Sequence, residues 1–103
     1  MNAIEFEKIV DEQVKRSVDI LVVKAKEYAS EEDRLHNFKQ AASIQVTTPI
    51  NACAGIMVKH TVSVFDMCRA DKTYSLDMWN EKITDSINYL LLLRALVEEA
   101  SQK

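Results

Sequence analysis

The sequence predicts an all-α fold, a four-helix antiparallel bundle, and three observations carry that prediction. One Gly and one Pro stand in 103 residues of which 48% are hydrophobic, so the chain lacks the turn residues that a sheet would demand. Apolar residues recur at three- and four-residue steps, the period of a helix buried along one face. Capping chemistry marks the breaks: Ser30 or Asp33, then Thr48 followed by Pro49, then Ser75. Helices are predicted over residues 2–28, 34–46, 49–70 and 76–101 of a single all-α domain, 1–103.

The first helix rests on Phe6, Val10, Val14, Val18 (or Ser17), Leu21, Ala25 and Tyr28, a continuous stripe expected to face the core, widened by Ile9 and Val22. Glu5, Lys8, Glu12, Lys15 and Arg16 form its solvated face. The second helix packs through Leu35, Phe38, Ala41 or Ala42, and Ile44 or Gln45. Thr48 suits an N-cap and Pro49 the first helical position, where its missing N–H costs nothing. The third helix is apolar at Ile50, Cys53, Ile56, Met57, Val64, Phe65 and Cys68, with His60 on that stripe. Gly55 inside it costs roughly 1 kcal/mol against Ala and is expected to admit a close neighbour. Ser75 and Asp77 suit the start of the fourth helix, as cap and as acid at the positive end.

The formal charge of −3 argues against a duplex nucleic acid as partner, which would need a basic surface. The longest apolar run, Tyr89 to Leu93, is too short to cross a bilayer, so no membrane is expected. The opening Met1-Asn-Ala-Ile-Glu5-Phe-Glu is acidic where a secretion signal would be basic. Cys53 and Cys68 lie fifteen residues apart on one helix, roughly 22 Å at about 1.5 Å per residue, too far to bond each other. Both read as buried thiols in a reducing, cytoplasmic setting.

Three polar groupings interrupt apolar faces: Lys24 and Tyr28 with Arg34 and Asn37; Lys59, His60 and Asp66; and Glu81, Lys82, Asp85, Asn88 and Tyr89. Glu81, Asp85 and Asn88 share a line that continues into Leu92 and Ala95 or Leu96, so these acids are expected along a buried stripe. Burying carboxylates costs several kcal/mol each unless a cation or hydrogen bonds receive them. In an antiparallel bundle the three groupings can converge at one end, with carboxylates for a divalent cation and bases for phosphate. Plainer readings stand beside this one: acids favoured by the helix dipole, a snorkelling Lys24, a core histidine, or a polar line that fixes register between subunits.

The runs Lys24-Ala-Lys-Glu-Tyr28, Arg34-Leu-His-Asn37-Phe38, Lys59-His60 and Glu81-Lys82-Ile-Thr-Asp85-Ser-Ile-Asn88-Tyr89 carry a resemblance. Over about residues 20–97 the chain resembles small phage and prophage helical proteins related to the nucleotide-modification-associated domain. More distantly it is similar to MazG-like all-α nucleoside triphosphate pyrophosphohydrolases, in which acidic pairs on two helices bind Mg²⁺ beside the triphosphate. The resemblance implies Mg²⁺ on Glu81 and Asp85, with Lys24, Arg34, Lys59 or Lys82 on phosphate and Tyr28 or Tyr89 on a base. Asn37, His60 and Asn88 complete the expected ligand-binding set. The family's first acidic pair has no match, since Lys59, His60 and a single Asp66 stand there, and Lys82 replaces a further acid.

Two functions are therefore expected. The first is a MazG-like protein that binds a nucleotide or nucleoside triphosphate and, if it is an enzyme, hydrolyses the triphosphate to monophosphate and pyrophosphate. The alternative is a non-catalytic helical oligomer that binds a nucleotide signal or a protein partner, for example in counter-defence. Either way the ligand is a nucleotide or another small phosphate-bearing molecule. The aliphatic residues on several faces predict a homo-oligomer.

Overall fold

A computed structural model of the chain describes residues 1–23 and 32–102. It shows an all-α bundle: α1 (Ala3–Val18), a π-helical turn (Asp19–Val23), α2 (His36–Gln45), α3 (Pro49–Arg69) and α4 (Leu76–Ser101), with no strand among the described residues.

Local chemistry explains each start. The Asn2 side chain accepts from Glu5 N at 2.9 Å while Asn2 N donates to the Glu5 carboxylate at 3.2 Å, a reciprocal cap that opens α1. Thr48 accepts from Asn51 N with Pro49 in the first turn of α3, and Ser75 accepts from Met78 N at the start of α4. Asp33 accepts from Leu35 N just before α2. That helix closes with Val46 in the left-handed region (φ 55°, ψ 54°) and Thr47 N donating back to Ala42 O at 2.9 Å. A β-branched residue there occupies a place usually held by Gly or Asn.

The first helix differs from expectation. Its α geometry ends at Val18, five residues of π-helix follow, and positions 24–28 lie outside the described residues. Arg34 donates from Nη2 to the Leu21 carbonyl at 2.8 Å, fastening the start of α2 to the π turn.

The core lies where α2 meets the α3–α4 hairpin. Leu35, Phe38, Cys53 and Leu96 are buried together, with Ile50, Ile56, Met57, Tyr89, Leu92 and Leu93 packed against them. The chain bends by 96° between α2 and α3, which lays α2 across the far end of α4. Lys39 there bridges Asp33 (2.8 Å) and Glu99 (2.7 Å). No single helix among the described residues is long and apolar enough to cross a membrane.

α1 joins this core by polar contacts. Gln13 Nε2 donates to Thr84 Oγ1 at 2.9 Å and to Ser17 Oγ at 3.1 Å, with both hydroxyl residues buried. Its predicted core stripe is not covered: Phe6, Val10, Val14 and Val18 are 41–59% exposed. The helix docks through the Gln13 and Ser17 side of that stripe, so most of its aliphatic surface faces outward.

Candidate functional site

Three of the candidate side chains meet on the seam where α4 runs back along α3. His60 from α3 stacks on Tyr89 from α4, ring centroids 4.6 Å apart and 27° from parallel. Its Nδ1 lies 4.0 Å from Asp85 Oδ2, one turn before Tyr89, an ion pair whenever the imidazole is protonated. The three side chains are partly exposed, so they form an open platform beside the core. Beneath it, Cys53 Sγ contacts the Tyr89 carbonyl at 4.0 Å.

Burial and the nearby Asp85 charge hold the Tyr89 phenol above its usual range, with a smaller contribution from Cys53. Tyr89 is therefore neutral at physiological pH, a flat aromatic with one O–H donor. Asn88 is buried next to it in sequence, and its Oδ1 has no hydrogen-bond partner among the described residues. A buried acceptor left unpaired costs about 1–3 kcal/mol.

The expected site residues divide. His60, Asp85 and Tyr89 come together. Lys59 is exposed beside His60, and Lys82 is half-buried one turn before Asp85. Asn37 is exposed on the first turn of α2, while Arg34 is engaged with Leu21 and has its Nε buried without a partner among the described residues. Lys24 and Tyr28 lie outside the described residues.

Two expectations about burial are corrected. Glu81 is exposed and Asp85 about one-third exposed, so the acids flank the buried line instead of occupying it. That line runs through Thr84, Asn88 and Leu96, because Gln13 of α1 turns Thr84 inward. Cys68, read as a buried thiol, is exposed, whereas Cys53 is buried as expected. Thr84 and Gln13 are residues the pattern did not single out, and Ser17 stood only as the alternative to Val18. Their signal was Ser17, a small polar residue competing with Val18 for the stripe.

Glu81 and Asp85 share one side of α4, four residues apart. No group of three or more His, Cys, Asp and Glu side chains among the described residues is placed to hold a metal. Two carboxylates suit Mg²⁺ only when ligand phosphates and water supply the remaining oxygens. Compared with protein-family models, curated proteins and solved structures, the chain finds no match.

Proposed function

We propose that this chain is a homo-oligomeric, nucleotide-handling helical protein of the phage MazG-like kind. It binds a nucleotide or similar phosphate-bearing ligand on the α3–α4 seam and acts by holding it, not by cleaving it. The observation that carries this reading is the His60–Tyr89 stack with Asp85 beside it. Partly exposed aromatic faces accept a base by offset stacking. Lys59 and Lys82 supply cations for phosphate. Mg²⁺ would enter with the phosphates, on Asp85 and Glu81.

The test is thermal unfolding and calorimetry with nucleoside mono-, di- and triphosphates and signalling nucleotides, with and without Mg²⁺. A ligand at 100 times its dissociation constant stabilises the fold by about 2.7 kcal/mol. That stabilisation should disappear in Tyr89→Ala and weaken in Lys59→Ala. No shift with any nucleotide, or equal shifts in wild type and Tyr89→Ala, would sink the reading. Mg²⁺-dependent pyrophosphate release abolished by Asp85→Ala would replace it with the hydrolytic one.

A further inference from the structure

Another aromatic pair stands at the turn between α3 and α4. The Tyr74 and Trp79 rings meet there nearly at right angles, 84° between planes and 6.1 Å between centroids. Local backbone holds them in place. Ser75 caps α4 by accepting from Met78 N, and Trp79 N donates to the Ser75 carbonyl at 3.1 Å. Tyr74 in the connection and Trp79 in the first turn of α4 are thus set by one fixed residue between them. Both rings are half-buried, which leaves part of each open to solvent. One of them already holds a cation. The Lys72 ammonium lies 5.0 Å from the Tyr74 centroid, inside the roughly 6 Å over which a ring quadrupole attracts positive charge.

We propose that the Tyr74–Trp79 corner binds an organic ammonium group from outside the chain, with Lys72 as its resident competitor. The site is separate from the His60–Tyr89 platform and independent of the nucleotide reading. Aromatic faces set at an angle form the walls of the cages that recognise methylated and quaternary amines, and tryptophan attracts a cation more strongly than the other rings.

Charge selects the sign of the ligand. Residues 71–81 carry Asp71, Asp77 and Glu81 against the single base Lys72, and all three acids are exposed. Once Lys72 leaves the ring, an aromatic corner remains in an acidic stretch, which favours a cation over an anion. Hydration selects its type. The lysine ammonium is compact and strongly hydrated, and it is exposed here. A trimethylammonium group keeps the charge, has no N–H to hydrate and carries its own apolar surface, so it displaces Lys72 from the ring face. The ligand is therefore a quaternary or methylated amine, either free or as a methylated lysine side chain.

Trp79 is the only tryptophan in the chain, so its fluorescence reports on the corner directly. The full chain is titrated at constant ionic strength with tetramethylammonium chloride, with tert-butanol as an uncharged analogue of similar shape, and with a short peptide carrying one trimethyllysine. Tetramethylammonium should change the emission saturably, with tert-butanol at least about tenfold weaker. Lys72→Ala should bind tetramethylammonium about two- to fivefold more tightly, the worth of one exposed cation–π contact. Arg69→Ala should leave the affinity unchanged, because the Arg69 guanidinium lies over Phe65, 5.9 Å from its centroid. Tyr74→Leu with wild-type circular dichroism should lose most of the binding.

A peptide that binds more tightly than tetramethylammonium makes a protein side chain the source of the ammonium; a peptide that binds no better makes it a free amine. No saturable change, tert-butanol binding as well as the cation, or weaker binding by Lys72→Ala would overturn the proposal. So would equal gains from Arg69→Ala and Lys72→Ala, since the gain would then come from net charge and not from a vacated ring. The Lys72 arm changes only an exposed side chain, so it decides the matter even where Tyr74→Leu does not fold.

Discussion

Gly55 gives a quantitative check on how α3 is exposed. The residue sits seven positions into α3, in helical backbone without a positive φ. A Cβ built there meets nothing within 4 Å among the described residues, so none of them uses the close approach suggested by a mid-helix glycine. Gly55→Ala therefore creates no clash and closes no cavity. It removes backbone freedom from the unfolded chain and improves helix propensity, together about 1 kcal/mol in a helix interior. For a domain of this size that raises the melting midpoint by about 4–8 °C. Thermal and urea unfolding followed by circular dichroism measure it, with the slope in urea expected to stay constant. The series should be run at several protein concentrations, because the proposed self-association would add its own stabilisation. A midpoint that falls, most of all one that falls with increasing concentration, would refute the reasoning. It would show a second copy seated where Gly55 lies, beside the exposed Val58 and Val62.

The other predictions use separate parts of the fold. Val46→Gly should stabilise by about 1 kcal/mol, read from urea unfolding, since left-handed backbone costs a non-glycine residue about 1–2 kcal/mol and the 91% exposed side chain packs against little. An unchanged or lower midpoint would mean that Val46 is held by contacts beyond the chain. The Lys39 hydrogen bond, then the Leu35 N–H, hold the Asp33 carboxyl below its ordinary 3.8, and Asp33 and Glu99 hold Lys39 above its ordinary 10.5. A lowered acid stabilises above its unfolded value and loses that contribution as pH falls through the folded one; a raised base keeps its contribution until pH climbs through its folded value. The urea-midpoint difference between wild type and Asp33→Asn should thus be flat from about pH 5 to about pH 9 and shrink in acid; a difference that grows in acid would contradict the pairing. A thiol reagent should modify Cys68 rapidly in the folded protein and Cys53 only on unfolding, because burial pushes the Cys53 thiol up. Equal rates at both thiols would contradict the packing of α3.

Helix positions were legible because their determinants are local. Thr48 with Pro49 and Ser75 each act within one turn, and α3 and α4 begin where those residues place them. The end of α1 was not legible in the same way. Its apolar period runs on past Val18, while the change to π geometry at Asp19 and the bond from Arg34 to Leu21 join residues thirteen apart. The candidate site was half legible for a related reason. Polar residues on α4 announce a line, but Thr84 and Asp85 differ by only one residue, about 100° around the helix. Which of them faces inward depends on Gln13, seventy-one residues from Thr84. The stack of His60 on Tyr89 likewise needs the hairpin register of α3 and α4, which no local pattern contains.

The same distinction explains the uncovered ridge on α1. A run of valines at four-residue steps says that an apolar face is covered by something; it does not say that the cover belongs to the same chain. Within the chain, Gln13 of α1 donates both to Ser17 of the same helix and to Thr84 of α4, and the bond to Thr84 fixes how the helix is rotated. Hydrogen bonds of this kind select one orientation while adding only about 1 kcal/mol each. They set α1 at the rotation that leaves Val10 and Val14 outward, so the polar seam and the apolar ridge have one cause. Thr84→Val would test that connection, because it removes the acceptor while keeping the shape. If the hydrogen bond sets the rotation of α1, the variant should weaken self-association as well as stability, although Thr84 is fully buried and cannot itself touch a second copy. A variant that loses about 1–2 kcal/mol of stability and keeps the wild-type dissociation constant would separate the two.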